Sequence, residues 1–155
     1  MNMAFALIIK DKPEEVTFNY RLMFKMNKKL GTTNQETGGK NNDGVGSFFS
    51  RIIAEDDQAI IDLFTLINPK LTENDILSAI ETYIGDENVE EKYKSLFANI
   101  KEEMIESGFF KKKISDYIKN LEKVVELLKK RDDEDTKLQV GALQEQLGEM
   151  KAAIN

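Results

Sequence analysis

The chain has no cysteine and no histidine among its 155 residues. The first absence removes disulfides, thiol nucleophiles and thiolate metal ligands. The second removes the usual zinc sites and every imidazole-based acid–base mechanism. There is no basic excess either. Lys and Arg number 22 against 28 Asp and Glu, a formal charge of −6 with a pI near 4.9. Nothing in that balance drives binding to phosphate backbones or anionic lipid, so neither nucleic acid nor membrane is an expected partner. No window approaches the run of about 20 apolar residues that a membrane span requires. Met1 to Ile9 is apolar but short, and it lacks the basic start and small-residue cleavage site of a signal peptide. The expectation is a chain that stays in the cytoplasm. Carboxylates, lysines and tyrosines remain, so an enzyme would need a cleft that pairs Glu or Asp with Lys or Tyr. No cofactor and no catalytic residue is assigned.

What the sequence does contain is enough apolar material for one packed domain, 41% of residues, with 32% charged. The pattern is mainly α, an N-terminal β-hairpin followed by a bundle of about five to six helices. Ala4–Ile9 reads as a strand, Asp11–Glu14 carries turn chemistry around Pro13, and Val16–Tyr20 alternates apolar and polar, so residues 4–20 form the expected hairpin. Arg21–Leu30 turns helical, with Leu22, Met26 and Leu30 four apart and Gly31 as a stop. Residues 32–46 are a Gly- and Asn-rich flexible loop. Gly38-Gly39-Lys40 within it is not a phosphate loop, because Asn34 stands where that pattern has Gly and Asn41 where it has Ser or Thr.

Ser47 is the expected cap of a helix to about Ile67 that breaks near Glu55–Asp57. Its apolar face is too wide for a surface helix and places it mid-bundle. Asp56-Asp57 suits the positive end of a new helical stretch better than a catalytic pair. Thr72 and Asp75 form a capping box, with Leu71 stapled onto Ile76, opening a helix that should bury Ile76, Leu77, Ile80 and Ile84. The acidic run 86–91 lacks the ligand pattern of a calcium loop and reads as a solvated helix start. Val89, Tyr93, Leu96, Phe97, Ile100 and Met104 keep one face of that helix. A last long helix carries Phe110, Ile114, Ile118, Leu121, Val125 and Leu128, with Lys111–Lys113 as a solvated face.

Residues 1–130 thus form a helical domain, and residues 131–155 an acidic hinge with an amphipathic tail. Asp132–Asp135 are four like charges in a row. Beyond them Val140, Leu143, Leu147, Met150 and Ile154 fall three and four apart, heptad spacing on a segment that also holds Gly141 and Gly148. Such a tail either folds back onto its own bundle or frays, or it docks its stripe on a neighbouring copy or another protein. The second outcome makes those five residues the candidate protein contacts.

The order of elements carries a resemblance. It runs from the hairpin through a short basic helix ending Lys28-Lys29-Leu30-Gly31 and a glycine-rich gap to SFFSRIIAEDDQAIIDLFTLINP. LTENDILSAIETYI follows, and then a helix pair joined at ESGFFKKKI. Over residues 3–130 the chain resembles the tail assembly chaperones of long-tailed bacteriophages that infect Gram-positive hosts. The resemblance implies a non-enzymatic factor of the host cytoplasm, absent from the mature virion, that coats the tape measure protein before the tail tube polymerises around it. It also implies that a longer, frameshifted form recruits the major tail tube protein. No family motif supplies single binding residues. A helical protein with an apolar groove and an acidic exterior suits that role, because the apolar stripes of a long coiled coil would otherwise aggregate. Covering a long partner takes many copies, so head-to-tail self-association is expected, with the hairpin edge and the heptad tail as the two candidate contact surfaces. The alternative from another class is an acidic helical adaptor or inhibitor that sequesters a single partner. Gene position, immediately upstream of a very long reading frame or not, separates the two.

Overall fold

A computed structural model of the chain describes residues 5–155; residues 1–4, including the Ala4 at which the expected strand opens, lie outside the described residues. β1 (Phe5–Ile9) pairs antiparallel with β2 (Lys12–Val16), in a register from Phe5 opposite Val16 to Ile9 opposite Lys12. The hairpin is therefore shorter than expected and turns earlier. Its loop is Lys10-Asp11, with φ of 52° and 65°. Two consecutive positive φ values give a two-residue loop the hand that matches strand twist. The residues read as a turn become β2, and the alternation after Val16 leads into a helix instead of continuing the strand. Pro13 is tolerated because both strands of this sheet are edges, and the ladder alternation leaves its missing N–H unneeded opposite Ile8. Phe5, Leu7, Ile9 and Val16 are buried, while Ile8 faces out.

Seven helices follow: α1 (Tyr20–Lys29), α2 (Gly44–Ile53), α3 (Asp57–Ile67), α4 (Glu73–Ile84), α5 (Val89–Glu106), α6 (Gly108–Leu128) and α7 (Glu134–Ile154). The mainly helical bundle behind an N-terminal hairpin is the expected architecture. The number reaches seven because the segment before Asn68 is broken at Glu55 (φ 56°) and the tail forms a helix of its own.

α2 is the central element and packs against α1, α3, α5, α6 and α7. It begins three residues before Ser47, which sits inside it rather than capping it. Two glycines explain why. A Cβ on Gly44 would overlap the Met26 carbonyl of α1, and one on Gly46 would overlap the ring of Tyr117 on α6. Only glycine lets α2 lie this close to both neighbours. Asn27, buried on α1, accepts the Val45 N–H at 3.1 Å and so satisfies one of the free amides at the start of α2. Asp43 holds the cap position but gives its carboxylate to Thr32, whose N–H and Oγ1 lie 2.7 Å from its two oxygens. That bond ties the two ends of the Gly- and Asn-rich loop. Inside the loop Asn34 Oδ1 accepts from Glu36 and Thr37 N–H, and Thr33 bridges Lys40.

The caps downstream follow the sequence closely. Asp56 accepts from Gln58 N–H to start α3, and Arg51 bridges Asp56 at 2.9 Å and Asp62 at 2.8 Å across the α2–α3 elbow. Thr72 and Asp75 make the reciprocal capping box of α4, with Ile76 buried beneath. Of the four residues expected inside, only Ile76 is fully buried: Ile80 and Ile84 are half-buried and Leu77 is exposed, while Ala79 takes an inward position, because α4 lies on β1 and α3 along a narrower stripe than the spacing suggested. Val89 is likewise exposed, since it stands in the first turn of α5, ahead of the packed face at Leu96, Phe97, Ile100 and Met104. Ser107 ends α5 and caps α6. Along α6, Phe110, Ile114, Ile118 and Val125 are buried and Leu121 and Leu128 half-buried, as their spacing requires.

Candidate partner-binding surfaces

α7 starts at the acidic run, where Asp133 accepts from Thr136 N–H at 2.9 Å. It lies on α6 and α2. Val140, Leu147 and Met150 are buried in that seam, and Leu143 and Ile154 pack half-buried against the same core. The five candidate contact residues are thus brought onto one line, as heptad spacing dictates, but the line faces inward. They are not a free surface in this structure, and a contact with another protein through them requires α7 to leave its seam. The physical reason is that the apolar faces of α2 and α6 would otherwise stay open to water. Two polar contacts fix the docking: Gln146 Nε2 lies 2.6 Å from Ser50 Oγ, and Lys151 pairs with Glu122 at 3.2 Å.

α7 does not close the whole of α2. A cleft of about 500 Å³ opens over the C-terminal half of α2, with α5 on one side and the end of α7 on the other. Its floor is Ile52 and Ile53, and its walls are Phe97 and Ala98 of α5 and Ala152 and Ala153 of α7. Charges stand at the rim: Glu55 and Glu149 beside Lys94 and Lys101. An apolar trough with a polar rim of mixed sign has the composition of a helix-binding groove. Sequence periodicity could not reveal it, because its walls come from three helices far apart in the chain. The alanines at 98, 152 and 153 were the one available signal, small side chains that leave room between helices.

Near that cleft Tyr93 fixes α5 to the elbow between α2 and α3. Its hydroxyl donates to Asp57 Oδ1 at 2.9 Å and stands 3.3 Å from the Glu55 carbonyl. Burial, and then the bond to Asp57, push the tyrosine up to about 12. The phenol therefore keeps its proton at neutral pH, the reverse of what a tyrosine base needs, and the pair reads as a structural clasp. A second, smaller hollow lies between α1 and α3, lined by Lys25, Lys29, Leu30, Leu66 and Pro69. Among the described residues no group of acidic side chains is placed to hold a metal ion, and no helix is long and apolar enough to cross a membrane.

Residues 6–119 match the family model described as phage tail assembly chaperone protein, TAC. The chain belongs to the phage tail assembly chaperone family. The matched span runs from the hairpin to the middle of α6 and so contains α2 and the α5 wall of the cleft. The α7 wall, with the acidic run before it, lies beyond the match. No curated protein and no solved structure shows a significant match to the chain.

Proposed function

We propose that this tail assembly chaperone binds the tape measure protein and keeps it soluble while the tail is built, as a non-enzymatic factor of the host cytoplasm that does not remain in the virion. Membership of the family over residues 6–119 carries the reading. The apolar cleft over Ile52 and Ile53 supports it, since one turn-by-turn ridge of an amphipathic helix fits a trough of that shape. The seating of α7 beside it supports it further, because the same α2 surface already accepts a helix with heptad spacing. Recruitment of the major tail tube protein belongs to the same proposal.

The test is co-expression with the tape measure protein of the same phage. The tape measure should move to the soluble fraction and co-purify with the chaperone. Ala98→Glu and Ala152→Glu place carboxylates in the cleft at exposed helical positions, so folding should persist. Each should weaken the complex about tenfold or more, some 1.4 kcal/mol. A tape measure that stays insoluble and fails to co-purify would remove the function. Unaltered affinity in both variants would remove the cleft as its site. An acidic adaptor with one unrelated partner gives the first of these results.

A further inference from the structure

The charges around the cleft over α2 are sorted by side. Lys94 and Lys101 stand on its α5 side, with Ala98 between them in the chain. Glu149 stands opposite on α7, and Glu55 at the elbow after α2. One bank is therefore basic and the other acidic, in a chain whose formal charge is −6. Among the described residues Lys101, Glu55 and Glu149 form no ion pair, and Lys94 pairs with Glu90 one turn back on its own helix, at 3.3 Å. Opposite charges thus face each other across the trough without meeting. Banks that served to hold α5 against α7 would be bridged, as Lys151 bridges Glu122 where α7 rests on α6. Here the trough keeps them apart: its walls are the small Ala98, Ala152 and Ala153, and its floor is Ile52 and Ile53.

The spacing of the basic bank adds a second constraint. Lys94 and Lys101 lie seven residues apart on α5, two turns and about 10.5 Å at 1.5 Å per residue. Ala98 is four residues from the first and three from the second, so the three share a face. Seven residues is the repeat of a heptad helix, whose apolar seam is flanked by charged positions that select partner and direction. We propose that the cleft takes a heptad helix of the tape measure protein whose two flanks differ in charge. Carboxylates seven residues apart meet α5, lysines or arginines meet α7, and the two banks fix the direction in which the helix lies. This rests on the tape measure reading above and adds the chemistry that the bound segment carries. Turning the helix end for end exchanges its flanks and sets like charges on both banks, so one direction satisfies the cleft and the other does not. Rim pairs contribute little affinity singly, so the apolar ridge on Ile52 and Ile53 supplies the hold and the charges supply the choice.

The probes are three dye-labelled synthetic helices of the length of α7, 21 residues. They share one apolar heptad line and differ in their flanks: glutamate on one and lysine on the other, glutamate on both, or lysine on both. Fluorescence anisotropy with the full chain at low salt should show the mixed helix binding about tenfold more tightly than either uniform one. The gap should close at about 1 M salt, where screening falls to roughly 3 Å. Lys94→Glu with Lys101→Glu makes both banks acidic and should turn the preference to the lysine-flanked helix. Both lysines stand at the rim, so circular dichroism should be unchanged. A spin label on the amino end of the mixed helix should broaden amide signals at one end of the cleft, and exchanging the two flanks should move the broadening to the other end. Equal binding of the three helices, no binding of any, or a preference that the double charge reversal leaves intact overturns the inference. Co-purification of the tape measure protein, measured separately, keeps or removes the function whichever way the peptides fall.

Discussion

At the scale of single residues the informative contrast is between glycines. Gly44 and Gly46 stand where α2 meets the backbone of α1 and the ring of Tyr117, and a methyl group has no room at either. Gly141 and Gly148 stand on the outer side of α7 with nothing near them. The same residue is a packing requirement in one pair and a helix penalty in the other. Gly44→Ala should therefore cost about 1–3 kcal/mol through overpacking against a carbonyl that cannot step aside. Gly141→Ala should instead add about 0.5–1 kcal/mol, by removing the entropic cost of glycine in a helix interior. Urea unfolding of both variants checks the signs. Equal effects would mean that α2 can shift away from α1. From the sequence the two pairs look alike, because proximity to a distant carbonyl leaves no trace in local spacing.

At the scale of elements the legible parts were those whose cause is local. The capping box of Thr72 and Asp75, the elbow at Asp56 and the apolar line of α6 all depend on residues within a turn or two of each other. The hairpin was legible as an element but not in its turn. Pro13 and Asp11 are turn residues by propensity, yet the strands pair so that Phe5, Leu7, Ile9 and Val16 all bury, and that register leaves only Lys10-Asp11 to reverse the chain. The tail shows the same limit. Its heptad line was visible, but whether the partner is α6 or another molecule depends on whether the bundle leaves a face open. Deleting residues 134–155 should uncover that face on α2 and α6. The expected result is a loss of about 2 kcal/mol or more, a fall in Tm on the order of 5 °C, with increased binding of a hydrophobic dye. A truncated chain with unchanged melting and no dye binding would show that α7 does not seal the bundle.

At the scale of the whole molecule, titrating groups bound the pH range of the fold. Asp75 is held below its ordinary 3.8 by hydrogen bonds from the Thr72 backbone and side chain, and Asp133 likewise by the side chain and backbone of Thr136. The folded chain binds fewer protons there than the unfolded one, so stability falls as pH drops below about 4. Tyr93 behaves in the opposite sense. Raised to about 12, it keeps its proton when the unfolded chain has lost it near 10, so stability falls again as pH rises from 10 towards 12. Urea midpoints from pH 2 to 12 should trace both limbs. Asp133→Asn should flatten the acid limb and Tyr93→Phe the alkaline one; limbs indifferent to both would assign the change to other groups.

The sequence by itself determined the class of the fold, the helix starts written by their own caps, the lack of thiol and imidazole chemistry, and the family, whose match extends over residues 6–119. These follow from interactions between near neighbours or from residue identity alone. Tertiary structure decided which apolar stripes are sealed and which are left. Val140, Leu147 and Met150 turned inward, while Tyr20, Phe24 and Phe109 stayed half in water. Burial belongs to the pair of surfaces that meet, and a one-dimensional pattern specifies a face without specifying what will cover it.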